Sequence, residues 1–160
     1  MEAQLRPACP QDVDTLVELR ELMFTDMDGA STEHLGEATA AWVEAALASP
    51  ECRVVVVEVD GEVVSCAMAR LEHGAPAPSC PSGTSAVIFN VVTRRHARGR
   101  GHARRCLEAL LEWASDRADR ADLQASDQGA SLYASLGFAP TAYRSMRRPL
   151  VSCPQPRDRD

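Results

Sequence analysis

Two valine-rich runs, Val54-Val55-Val56-Val57 and Val63-Val64, stand on either side of Asp60-Gly61. β-Branched side chains favour a pleated backbone, and Asp-Gly supplies the positive φ angles that a tight type I′ turn requires. The spacing predicts an antiparallel hairpin with strands over about 53–59 and 62–70. The rest of the chain must then be arranged around a sheet.

The flanking segments change period. Residues 10–24 read as a helix: Pro10 suits a first turn, Asp12 and Asp14 sit near the positive end of the dipole, and Val13, Leu16, Val17 and Met23 share a face. A polar break follows from Thr25 to Ser31, then a second helix from about Thr32 to Ala48. Ser31 or Thr32 can cap it, and Leu35, Ala38, Trp42 and Ala46 form its apolar stripe. Residues 72–85 hold three Pro, two Gly and three Ser and read as a loop. Residues 86–93 are an apolar strand interrupted by Asn90, and a basic glycine turn at 94–101 opens a helix over 101–117. Leu107, Leu110, Leu111 and Ala114 mark that helix's buried face. A short strand at 121–125, a short helix at 129–136 and a last strand at 143–150 complete the order ααβββαβαβ. This is an α/β class fold, a mixed α+β sandwich in a single domain of residues 1–150. Residues 151–160, with two Pro and alternating Arg and Asp, are expected to be a disordered tail.

Composition narrows the function classes. A chain of 160 residues with 45% hydrophobic content suits one globular domain. No apolar run approaches the roughly 20 residues of a membrane span, so no membrane partner is expected. The opening Met-Glu-Ala-Gln has no basic region followed by an apolar stretch, which predicts a cytoplasmic protein. Six scattered cysteines form no CxxC-type pair, and no metal site is expected. The net charge of −6 is uneven. Residues 10–72 carry 14 Asp or Glu against three Arg, whereas residues 94–105 carry six Arg and two His with no acid. An acidic chain with one dense basic stretch, lacking interleaved aromatics, is expected to bind a local anion there and no nucleic acid.

That basic stretch carries the chemistry. In Phe89–Arg105 a strand runs into a glycine turn that opens a helix. The first N–H groups of a helix lack intrahelical partners and attract phosphate. Gly99 and Gly101 permit close backbone approach, Ala103 removes bulk, and Arg98, Arg100, Arg104 and Arg105 add positive charge. A dinucleotide fingerprint fails because Arg104 stands where a third glycine is needed, and a Walker A loop fails because the chain has no Lys. A capped helix with solvated arginines fits the first turn equally well.

Arg98-Gly-Arg-Gly101-His-Ala103 resembles the (Arg/Gln)-x-x-Gly-x-(Gly/Ala) pyrophosphate motif of the GNAT superfamily of N-acetyltransferases. Asn90-Val-Val-Thr93 is similar to the family's preceding strand, and Leu132-Tyr133-Ala-Ser-Leu136-Gly137-Phe138 to its second hallmark, Leu-Tyr-x-x-Leu-Gly-Phe. The resemblance covers roughly residues 4–150. It implies a mixed, mostly antiparallel sheet that splays at the cofactor site and is flanked by about four helices. It also implies transfer of an acetyl group from acetyl-CoA to a primary amine of a small molecule or peptide, by direct attack in a ternary complex.

Under that resemblance, backbone N–H groups of Gly99, Arg100, Gly101, His102, Ala103 and Arg104 hold the pyrophosphate, with Arg98 beside them. Val91, Val92 and Thr93 pair with the pantetheine arm, and the Val92 N–H polarises the thioester oxygen. Tyr133 is the expected general acid for the leaving thiolate, the alternative being a tyrosine packed in a short helix beside Leu132 and Leu136. Ser126 stands where the family often has a pantetheine-binding Asn, although it can equally cap the 129–136 helix. Val92 stands where Tyr is frequent. No acid lies between Glu72 and Glu108, so the strand at 86–93 offers no carboxylate base, leaving His73, Asp26, Asp28 or water. Asn90 either binds substrate or is a bulge residue satisfied by backbone. The family builds its acceptor site from the first two helices, their connecting loop and the last strands. Phe24, Asp26 and Asp28 are the expected substrate-binding residues there: the carboxylates either attract a cationic amine or belong to an ordinary solvated acidic loop. A homodimer is common in the family and is carried as an expectation. The alternative is a non-catalytic acyl-CoA-binding or sensing module.

Overall fold

The computed structural model describes residues 2–150, which fall into two compact units, one ending at Gln124 and one beginning at Ala125. The first unit holds a five-stranded sheet in the order β1-β2-β3-β4-β5. Its strands are β1 (Ala3–Pro7), β2 (Cys52–Val59), β3 (Glu62–His73), β4 (Thr84–Thr93) and β5 (Arg120–Asp122). The first four pair antiparallel and β5 joins β4 in parallel. Three helices belong to the same unit: α1 (Val13–Asp28), α2 (Gly36–Ala48) and α3 (His102–Ala114).

The expected hairpin forms as β2–β3, with Asp60 at φ 51° and Gly61 at φ 84°, the two left-handed residues of its turn. Alternation then sorts side chains to two faces. Val54 and Val56 join Leu16, Leu19 and Val43 in one cluster, under α1 and α2. Val55 and Val57 are buried on the opposite side, which α3 covers with Cys106, Leu107, Leu110 and Ala114. On α2 the buried residues are Val43 and Ala46, while Leu35 and Trp42 are 39% and 40% exposed. The stripe is thus rotated from the expected one, Ala40 and Leu47 packing on the same cluster as Val43 and Ala46; α2 begins at Gly36 after a turn closed by Leu35 N–H on Thr32 O (2.8 Å). On α1, helix replaces the expected polar break through Asp28. It stops at Gly29, whose φ of 61° lets its N–H reach Thr25 O at 3.2 Å.

Two strand assignments differ from the sequence reading. β1 was not foreseen; its five residues carry only a weak alternation. The last strand expected at 143–150 does not form: these residues join no ladder among the described ones, and Tyr143, Met146 and Leu150 are 88%, 93% and 89% exposed. Side chains that find no opposing strand cannot hold a pleated backbone. The tail at 151–160 lies outside the described residues.

β1 is tied in by charge. Arg6 places Nη1 and Nη2 on the two carboxylate oxygens of Asp12 (2.7 and 2.9 Å) and Nε and Nη2 on Glu58 Oε2 (3.0 and 2.8 Å). Asp12 is 5% exposed and also accepts the Cys9 N–H at 2.8 Å. Arg6, then burial opposing it, sets its titration, and the net result is a carboxyl held below the ordinary value. Arg6→Ala would strand this buried carboxylate and should lower stability by about 2–3 kcal/mol at neutral pH. Because the folded-state value is depressed, the stabilisation is complete above the usual carboxylate range near pH 4 and disappears as pH falls through the depressed value. Thermal unfolding should therefore show the variant's deficit shrinking below about pH 4. A deficit that stays constant into strong acid would assign the loss to packing instead.

Candidate functional site

The interrupted strand contains a bulge. Met68 pairs with Phe89 and Cys66 with Val92, so β3 advances two residues while β4 advances three. Asn90 absorbs the extra residue at φ 53°, a left-handed conformation that Asn tolerates. β5 pairs with β4 only over Ser85–Val87. Beyond Val87, the far edge of β4 meets no strand among the described residues, which is the splay that the resemblance implied. The Arg94 N–H donates to Val64 O at 2.8 Å, and this fixes the ladder's phase. Arg94 and Val92 direct their backbone groups to β3; Val91 and Thr93 direct theirs to the open edge. The Val92 N–H, expected to polarise a thioester, therefore faces β3, and Val91 occupies the outward position beside the bulge. Ser65 Oγ donates to Val92 O (3.0 Å) and sits 2.8 Å from Thr93 Oγ1, holding the strand's end.

At that end the chain makes a 3-10 turn, Arg95–Ala97, then passes through Gly99 (φ 74°) and Gly101 (φ 81°) into α3. A Cβ on either glycine would meet open space, so nothing crowds the loop, but an L side chain would be strained there. Among the described residues, the N–H groups of Gly99, Arg100, Gly101, His102 and Ala103 donate to no protein acceptor. Five N–H groups without a protein acceptor, at the positive end of a 13-residue helix, are suited to hold an anion. His102 contributes backbone only. Its side chain is 7% exposed and turns back toward Val59, Asp60, Glu62 and Val64, where they line a cavity of about 210 Å³. Burial, then Arg105 and Arg100, lower its pKa, so the imidazole is neutral. Arg105 points elsewhere, its Nη1 donating to Ala3 O at 2.8 Å, and Arg104 lies 3.8 Å from Glu108.

The helical residues expected to bind substrate divide. Asp26 is clamped by the guanidinium groups of Arg95 and Arg98, and Arg98 Nε also donates to Thr93 O at 3.0 Å. Those two arginines hold the Asp26 carboxyl down to about 2. It is a poor base and a neutralised attractor for a cation. Asp28 is exposed and lies on the last turn of α1. Phe24 packs beneath the Arg20 guanidinium, 4.9 Å from its ring centre. Arg20 Nη1 in turn donates to Asn90 Oδ1 at 2.9 Å, and Asn90 Nδ2 lies 3.5 Å from Cys66 Sγ. Asn90 is 3% exposed and is satisfied by side chains as well as sitting in a bulge. The sequence reading missed Arg20; its position one turn before Phe24 on α1 was the available signal. His73 pairs with Thr84, seven residues along β3 from Cys66, or roughly 23 Å. It bonds Glu51 Oε2 at 2.6 Å and is remote from the bulge.

The second unit is described by itself. α4 (Ala130–Ser135) follows Ser126, whose Oγ accepts the Gly129 N–H at 3.3 Å. Ser126 thus anchors the turn into α4. Gly137 (φ 91°) ends that helix, with the Gly137 and Phe138 N–H groups on Ala134 O and Tyr133 O (3.1 Å each). The Leu-Gly-Phe part of the motif is accordingly a helix stop that folds Phe138 back edge-on to Tyr133, with ring centres 6.1 Å apart. Burial raises the Tyr133 pKa above the ordinary phenol value. Gly129 was not foreseen as important: a Cβ there would lie 2.7 Å from Tyr133 Cε2. Gly129→Ala should therefore displace the tyrosine ring. The NMR resonances of the Tyr133 ring should shift in the variant, and unchanged resonances would show that the ring position does not depend on Gly129.

A family model described as "Acetyltransferase (GNAT) family" matches residues 14–138. The chain belongs to the GNAT acetyltransferase family. Among solved structures it is similar to a predicted acetyltransferase with acetyl-CoA from Clostridium acetobutylicum (TM-score 0.84, 22% identity, covering 92% of this chain and 96% of that one). It is also similar to a GCN5-related N-acetyltransferase from Ralstonia eutropha JMP134 (TM-score 0.80, 25% identity, 92% and 99% covered). A third is the glucosamine-6-phosphate N-acetyltransferase from Arabidopsis thaliana (TM-score 0.75, 15% identity, 92% and 99% covered). No curated protein matches the chain significantly. Acetyl-CoA is the acyl donor, and the residues present fit it: five open N–H groups suit a diphosphate, and the open β4 edge suits an extended amide-containing arm. Among the described residues no group of side chains could hold a metal ion, and no helix is long and apolar enough to cross a membrane.

Proposed function

We propose that this protein is an N-acetyltransferase that moves acetyl from acetyl-CoA to a primary amine of a small molecule or peptide, by direct attack in a ternary complex. The observation that carries the reading is the row of N–H groups at Gly99–Ala103 without protein acceptors, following a strand edge that among the described residues has no strand partner past Val87. Gly99 to Arg104 bind the diphosphate, and Val91 and Thr93 pair with the pantetheine arm through outward backbone groups. The Val91 N–H stabilises charge on the thioester oxygen as the amine nitrogen bonds to the carbonyl carbon. The C–S bond then breaks, and Tyr133 protonates the leaving thiolate. Asp26 is held by two arginines, His73 lies far along β3 from the bulge, and Asp28 is exposed at the end of α1, so the ammonium proton leaves through water.

The family match runs from residue 14 to residue 138, across both units, and supports residues 1–150 as one catalytic domain. A cytoplasmic location and a homodimeric state complete the proposal. The test is acetyl-CoA-dependent thiol release across antibiotics, polyamines, amino acids and peptides. Release with at least one amine class supports transfer. Tight acetyl-CoA binding without release for any amine would favour a sensing module.

A further inference from the structure

Among the described residues, Arg20 is a cation with no carboxylate hydrogen-bonded to it. Its guanidinium is half-buried between the Phe24 ring (4.9 Å) and the Asn90 amide (2.9 Å), and no carboxylate pairs with it among the described residues. Two acids of α1 are committed elsewhere. Glu18, on the same helix, pairs with Arg94 at 2.9 Å, and Asp26 is clamped by Arg95 and Arg98. Cys66, which faces Asn90 from β3, is fully buried, and burial pushes its thiol far up, so it supplies no thiolate. Burial also lowers the Arg20 pKa, as expected where a charge is desolvated without an opposing one. A guanidinium has five N–H donors, and only one bonds to Asn90. The remaining planar fork matches a carboxylate or phosphate.

Position gives this group a purpose. Asn90 is the bulge residue, and the next residue, Val91, directs its N–H to the open edge of β4. We propose that Arg20 recognises an anionic group, carboxylate or phosphate, on the acceptor, so that the substrates are amines that also carry an acid. Asn90 orients the guanidinium, and an acid held there leaves the same molecule's amine at the bulge. This rests on the acetyl-transfer reading and reverses the charge expected of the acceptor from Asp26 and Asp28.

The experiment pairs each acid with its uncharged counterpart at saturating acetyl-CoA. The pairs are β-alanine with its primary amide, 4-aminobutyrate with its primary amide, and phosphoethanolamine with ethanolamine. The acid member of at least one pair should be preferred in kcat/KM by about 10- to 100-fold. The carboxylate and phosphate arms separate the two sources. R20Q keeps a donor for Asn90 and loses the charge; it should collapse that preference by about tenfold or more, through KM, while the Kd for acetyl-CoA holds. R20K, with charge but no fork, should restore part of it. A purely structural role would lower acid and neutral members alike, and that result overturns the proposal. Calorimetric binding of the acid members with coenzyme A present gives a second readout. If no amine is acetylated but an acid member binds and R20Q abolishes that binding, the transfer reading fails and the Arg20 assignment stands. Absence of saturable binding by every acid member, or binding indifferent to R20Q, refutes the assignment.

Discussion

Replacing Tyr133 with phenylalanine is expected to lower kcat by about 10²- to 10³-fold and to leave the Kd for acetyl-CoA within about twofold. Only the hydroxyl is removed. The edge-on contact with Phe138 and the packing against Gly129 depend on the ring, which remains. Folding and donor binding should therefore persist, and the loss should fall on the step in which thiolate leaves. The direction of the pKa shift adds a pH signature. Burial raises the Tyr133 value above that of an ordinary phenol, so the acid form persists to higher pH. Wild-type kcat should hold through neutral and mildly alkaline solution and fall only above about pH 10, where the phenol ionises. The phenylalanine variant should lose that alkaline limb. Steady-state rates from pH 6 to 11 with both proteins provide the check. A variant with full activity, or one whose alkaline limb matches the wild type, would remove Tyr133 from proton transfer.

The second large effect is expected at the glycine turn. Gly101→Glu should weaken acetyl-CoA binding by about 100-fold or more while lowering stability by about 1–2 kcal/mol. The backbone there has φ 81°, which an L residue adopts with strain, but its Cβ would meet no atom within 4 Å. The protein should fold. Binding fails because the carboxylate stands among the five N–H groups and repels the diphosphate. Gly101→Asn isolates the cause, since Asn accepts the left-handed conformation and carries no charge. It should bind donor within about tenfold of wild type. Calorimetric titration of both variants, with thermal unfolding alongside, distinguishes the outcomes. Wild-type affinity in the glutamate variant would mean that the diphosphate lies elsewhere.

Local chemistry was readable from the sequence and distant pairing was not. The Asp60-Gly61 hairpin, the glycine turn and the helix after it follow from backbone rules acting within a few residues, and each lies where its pattern put it. β1 escaped because five residues on a sheet edge carry little alternation; what fixes them is Arg6 meeting Asp12 and Glu58, the latter 52 positions away. The strand expected at 143–150 had a plausible composition but joins no ladder among the described residues. At the site, the glycine-turn residues were legible because a helix start announces its own free donors. Three features were not. The bulge phase turns Val92 inward and Val91 outward, and only the register of β3 on β4 reveals it. Asp26 looked like bait for a cation until Arg95 and Arg98, 69 and 72 residues on, closed over it. Arg20 looked like an ordinary helix residue until Asn90, 70 residues away, proved to hold it.

The unpaired margin of β4 bears on how such proteins diverge. A ligand that completes a ladder is gripped by peptide groups, which every residue except proline supplies in the same form. Side chains along that margin are then released from the duty of recognition and can drift, provided the bulge and the two glycines survive. Backbones that superpose at TM-scores of 0.75–0.84 with 15–25% identity show how much side-chain change this fold tolerates. Under the proposed function, recognition of the acceptor is left to side chains such as that of Arg20 on α1.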